Sequence, residues 1–95
     1  MQIPHALIHH PQLKTFKQLD ELHQLPKGSA FRAFKQLRPQ WVEGEHFYCV
    51  DSRHQPDVFA ELQRSGRLYA STVNAVLISE AGGQCIAACL HKGLA

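Results

Sequence analysis

Ninety-five residues suit one domain with one modest core and are too few for two. A hydrophobic fraction of 44% with 19% charged residues belongs to a globular chain, and no segment approaches the roughly 18 consecutive apolar residues of a membrane span. The formal net charge of +2 is too small to announce a polyanionic partner, so only the placement of charge can argue for one.

Cys49, Cys85 and Cys89 are an odd number, which argues against the disulfide framework of small secreted domains and for reduced thiols. The opening run MQIPHALIHHPQ has no basic segment followed by a long apolar stretch. No secretory signal is expected from it, and the cytoplasm is the expected compartment.

Residues 1–14 carry Pro4, His5, His9, His10 and Pro11 without periodicity. They read as a loosely ordered arm on a single globular domain of residues 15–95, with Ile3, Leu7 and Ile8 available to dock on its core. Thr15 and Gln18 have the Thr-x-x-Gln spacing of a capping box and open a first helix, whose Phe16, Leu19 and Leu22 form an apolar stripe beside His23. Pro26 forbids continuation past Leu25. Gly28 gives a short corner its backbone freedom, and Ser29 is the expected N-cap of a second helix. That helix turns Ala30, Ala33, Phe34 and Leu37 inward, keeps Phe31 at the edge, and ends at Arg38 before Pro39.

Trp41 to Asp51, WVEGEHFYCVD, changes period. Glu43-Gly44 is a turn signal between short apolar runs, which predicts a β-hairpin. Pro56 suits the first turn of a third helix with Val58, Phe59 and Leu62 inward and Gly66 after its end. RLYASTVNAVLI, residues 67–78, is rich in β-branched and aromatic residues and predicts one or two strands, the clearest being Val73 to Ile78; a helix there is the alternative. Ser79 then caps a final helix with Ile86 and Leu90 inward and Gly93 as its stop, weakened at Gly82 and Gly83 by about 1 kcal/mol each relative to alanine. The fold class that results is α+β.

Charge is segregated along this order. Lys14, Lys17, Lys27, Arg32, Lys35 and Arg38 against Asp20 and Glu21 give +4 over residues 14–38, whereas residues 39–95 are net −2. On the second helix Ser29, Arg32, Lys35 and Gln36 lie three or four apart, opposite the apolar stripe. Arginine can meet both acceptors of a guanine edge, glutamine can pair with adenine, and free amides at a helix start suit a phosphate. This face is therefore a candidate reader of double-stranded DNA, with Lys14, Lys17, Lys27 and Arg38 placed to meet phosphates.

The order helix, short corner, helix, then an EGEHFYCVD run resembles the winged helix-turn-helix of the MerR and phage excisionase type over residues 15–51. A second similarity is to the N-terminal domains of phage antirepressor proteins. In those, a phrase like Trp41-Val42-Glu43-Gly44-Glu45-His46-Phe47 follows the helical pair, and a strand like Val76-Leu77-Ile78-Ser79-Glu80 precedes a helix. The resemblance implies a small winged helix-turn-helix-like domain with a β-hairpin and a further C-terminal strand and helix. It also implies DNA binding through the second helix and the wing, in a regulatory or accessory protein of bacterial or phage kind. Glu43, Glu45 and His46 stand where such wings present basic residues, which makes the acidic hairpin a candidate protein contact instead.

Other chemistries have weaker signals. Cys85, Cys89 and His91 could meet a metal together with Cys49 or His54, but the Cys-x2-Cys knuckle of structural zinc sites is missing; cysteine beside alanine is an ordinary core residue, and no metal or cofactor is expected. Alternation along a strand separates Cys49 from His46, Gly-rich phosphate loops are missing, and no catalysis is expected. Trp41, Phe47, Tyr48 and Tyr69 could stack on single-stranded bases, though aromatics in so small a domain belong first to its core. The expected partner is double-stranded DNA, the alternative being a protein interaction module without nucleic-acid binding. A palindromic target would need a homodimer, for which no heptad run is present.

Overall fold

The computed structural model describes residues 7–70, 72 and 74–91. Its elements run α1 (Phe16–Leu22), α2 (Ser29–Leu37), a 3-10 turn (Arg38–Gln40), β1 (Phe47–Asp51), α3 (Pro56–Arg64), β2 (Asn74–Ile78) and α4 (Glu80–His91). The architecture is a small α+β domain of four helices and a two-stranded antiparallel sheet. No helix among the described residues is long and apolar enough to cross a membrane.

The sheet divides the core. β1 and β2 pair from Phe47↔Ile78 to Asp51↔Asn74, so alternate residues point to opposite faces. Val50, Ala75 and Leu77 face α3 and join Val58, Phe59 and Leu62; Ile8 and Leu13, from the run before α1, are buried in the same cluster. Phe47 and Ile78 face the other way and join Leu19 of α1, Ala30, Ala33 and Phe34 of α2 and Ile86 of α4. α3 thus covers one face, and the helical pair with α4 covers the other.

Local signals act where the sequence places them. At Thr15 the Gln18 amide donates to Oγ1 at 3.2 Å while the Thr15 amide donates to Gln18 Oε1 at 2.9 Å, which satisfies two donors at the start of α1. Pro56 occupies the first turn of α3, and Gly66 follows its end at φ +75°. Ser79 caps α4, its Oγ accepting from the Gly82 amide at 3.2 Å. Gly82 has a packing reason to be glycine: a Cβ there would stand 2.3 Å from the His46 carbonyl oxygen. Val73, Lys92 and Gly93 lie outside the described residues, as does Ile3.

Three expectations are corrected. Residues 41–51 do not form a hairpin. Val42 and His46 close a turn instead, with the His46 amide donating to the Val42 carbonyl at 3.0 Å and the Gly44 amide to the Phe47 carbonyl at 2.7 Å. Trp41 is held against Phe34 at 5.8 Å and stacks on His46 at 5.3 Å, which fixes this stretch beside α2, so β1 takes its partner from beyond α3. A short addition at the far side of β2 comes from Lys14, which exchanges both backbone bonds with Ile78. Secondly, Gly28 at φ +92° is the N-cap position of α2, and Ser29 is its first helical residue. Thirdly, the apolar stripe of α1 does not reach Leu22, which is 61% exposed; the buried position beside Leu19 is Asp20.

Candidate nucleic-acid interface

Asp20 explains the corner. Its side chain is 1% exposed, and a carboxylate so deep must be fully hydrogen-bonded. It accepts from the Gly28 amide at 2.9 Å, from the Ala30 amide at 2.8 Å and from the Tyr69 hydroxyl at 2.5 Å. α1 thereby caps the start of α2, and a negative charge sits at the positive end of that helix. The left-handed Gly28 lets both amides reach one carboxylate. Burial first, and then the Asp20 carboxylate, push the Tyr69 hydroxyl up to about 12.

Asp20 thus takes the Gly28 and Ala30 amides and the Pro26 carbonyl takes that of Ser29, so these three donors are not offered to a phosphate. Ser29 is equally turned inward: it is 7% exposed, and its Oγ donates to the Pro26 carbonyl at 2.8 Å.

The outer face of α2 consists of Phe31, Arg32, Lys35 and Gln36, all exposed, opposite the buried Ala30, Ala33 and Phe34. Arg32 leans back toward the helix start, with Nη2 3.5 Å from Ser29 Oγ. The Lys35 ammonium stands 5.6 Å from the centre of the Phe31 ring. No carboxylate among the described residues is within ion-pair distance of Arg32 or Lys35. Lys27 and Arg38 flank this face at its two ends, both exposed. Each lies over an aromatic ring, Lys27 at 4.9 Å from Tyr69 and Arg38 at 5.0 Å from Phe47.

Lys14 and Lys17 are placed differently. Both are half-buried, and their ammonium groups donate to the carbonyls of Pro11 and Gly66 respectively, each at 3.0 Å. The eight expected contact residues therefore separate into Lys27, Arg32, Lys35, Gln36 and Arg38 on or beside the outer face, Lys14 and Lys17 engaged by backbone carbonyls, and Ser29 inside. Of the acidic run, Glu45 is exposed and Glu43 half-buried. Near Glu43 lies Cys49, whose thiol is raised above its ordinary value by burial and then by the Glu43 charge, against the opposing pull of Arg38.

Sequence reasoning missed Asp20, Tyr69 and Arg67. The Arg67 guanidinium donates to the Leu13 carbonyl at 2.9 Å, to Gln18 Oε1 at 3.0 Å and to the Ile8 carbonyl. A usable signal existed only for Asp20, an acid at the fourfold spacing from Phe16 on an apolar face. Cys49, Cys85 and Cys89 are free thiols, each half-buried. In comparison with known proteins, no family model, no curated protein and no solved structure matches the chain.

Proposed function

We propose that this domain binds double-stranded DNA with the outer face of α2 in the major groove, as a regulatory or accessory protein. The observation that carries the reading is the joint exposure of Arg32, Lys35 and Gln36 on one helix face, with Lys27 and Arg38 at its ends and α1 bracing the helix through Asp20. An arginine fork and a glutamine amide match base edges, while the flanking cations meet phosphates. The winged form suggested by the sequence gives way to a reader that uses α2 alone, because the turn at residues 42–46 presents Glu45 rather than a basic hairpin.

Titration of a random duplex by fluorescence anisotropy at several salt concentrations tests this. With Arg32 on a base edge, the three cations left for phosphates, Lys27, Lys35 and Arg38, predict a slope of log affinity against log salt of about −2.7, reduced to about −1.8 in the double variant Arg32→Ala, Lys35→Ala, which also loses the base contact. Binding without salt dependence, or none at low salt, overturns the reading.

A second reading, a protein interaction module, is favoured by one observation. Leu22 is exposed and, with Leu19, Ile78 and Ala87, lines a mainly apolar groove of about 290 Å³ to which Arg32 and Lys35 do not contribute. A partner that survives nuclease treatment and is lost with Leu22→Asp, together with silent DNA titrations, selects this reading.

A further inference from the structure

Resting on the DNA reading of α2, we infer that Phe31 is a specificity-determining residue that seats its ring against the C5-methyl group of thymine in the major groove. Phe31 is 46% exposed, a large ring left in water beside Arg32, Lys35 and Gln36 on a face that is otherwise polar. Packing explains how it stays there. Its ring meets Phe16 edge-on at 5.5 Å and lies nearly parallel to Phe34 at 6.5 Å, so one side is fixed to the core while the other stands out. The Lys35 ammonium near the ring helps hold that orientation. A contact surface held in this way loses little conformational freedom on binding.

Phe31 is the third residue of α2, in the part of a recognition helix that reaches base edges. The edges of base pairs in the major groove offer polar donors and acceptors and one apolar group, the thymine methyl. An apolar ring beside an arginine and a glutamine therefore has one complementary feature in that groove. The surrounding cations also decide between occupants, since an apolar protein partner would have to bury Arg32 and Lys35 with the ring, whereas DNA offers a base edge to the arginine fork and a phosphate to the lysine.

The test uses two random duplex pools identical except that one carries uracil for thymine, which removes the methyl and leaves base pairing unchanged. In competition at low salt, the wild-type protein is expected to prefer the thymine pool by about fourfold for each methyl it buries. Phe31→Ala is expected to bind both pools equally, and Phe31→Leu, which keeps an apolar side chain on the helix, to retain part of the preference; circular dichroism melts establish that both variants fold. Equal binding of the two pools by the wild-type protein, with the salt slope intact, overturns the inference and leaves the α2 reading standing. A preference that persists in Phe31→Ala overturns it as well, by assigning the methyl to another residue. If neither pool binds, both the inference and the reading beneath it fail.

Discussion

The Ala30 amide donates to Asp20 Oδ1 at 2.8 Å, so the second helix is capped by a side chain of the first. Gly28 and Tyr69 complete the set of donors on the same carboxylate. Asp20→Ala strands all three and removes a charge from the positive end of α2, for an expected loss of about 3 kcal/mol in urea unfolding. Asp20→Asn keeps one carbonyl acceptor and should fall between the two. An unchanged midpoint in Asp20→Ala would remove the bracing role assigned to this residue.

Tyr69 makes the same junction sensitive to high pH. Its folded pKa, about 12, lies above the unfolded value near 10. The unfolded chain therefore releases the phenolic proton first. The stabilisation is fully present below pH 10 and is lost as pH rises through 12. Absorbance titration at the tyrosinate band should show one ionisation displaced upward, and Tyr69→Phe should abolish both that step and its share of the alkaline loss of stability.

What could be read in advance was what neighbours in sequence decide. The capping box at Thr15, the proline start of α3 and the Ser79 cap each involve residues within three or four positions, and each was legible. The spacing of Asp20 from Phe16 marked its inward position, but its role as a cap was not legible, because its partners lie 8, 10 and 49 positions away. The β1 strand was legible as a strand, but its pairing with β2 rather than with residues 41–46 depends on Trp41 packing against α2, which no local pattern encodes. On the candidate site, spacing placed Arg32, Lys35 and Gln36 on one exposed face. Ser29 was misplaced because a serine beside a proline corner can cap the helix or turn inward to the Pro26 carbonyl with the same residue types.

Gly82 and Gly83 are adjacent in α4 and should respond oppositely to alanine. A Cβ on Gly82 would meet the His46 carbonyl oxygen at 2.3 Å and Ile78 Cγ2 at 2.9 Å, and a backbone carbonyl yields little. Gly82→Ala is expected to cost about 2 kcal/mol through this overpacking. A Cβ on Gly83 meets nothing within 4 Å, so Gly83→Ala should stabilise by about 0.5–1 kcal/mol through helix propensity. Thermal melts of the two variants should move in opposite directions, and a stabilised Gly82→Ala would mean that α4 does not approach the 42–46 turn this closely.

Cys49 should alkylate slowly. Burial beside Glu43 disfavours its thiolate, which is the reactive form. Glu43→Gln removes the second cause and should accelerate labelling of Cys49 by iodoacetamide at pH 8, read by mass spectrometry of the modified peptide. No acceleration would assign the slow reaction to burial alone.

Arg67 ties three pieces of chain together. Its guanidinium spans the carbonyls of Ile8 and Leu13 and the side chain of Gln18, while its own carbonyl accepts from Thr15 Oγ1 at 2.5 Å. Burial pulls the guanidinium below its ordinary value, but even so it stays charged across the neutral range. Three acceptors in fixed directions suit the planar fork and not an ammonium, so Arg67→Lys should destabilise by about 2 kcal/mol although the charge is kept. The loss should be local before it is global. Leu7 to Lys14 is held to the core through these carbonyls and the Ile78 pairing, so limited proteolysis should cut Arg67→Lys near His9 and His10 well before the rest of the chain. Cleavage distributed evenly over the variant would instead place Arg67 in the global folding unit, with no special hold on this segment.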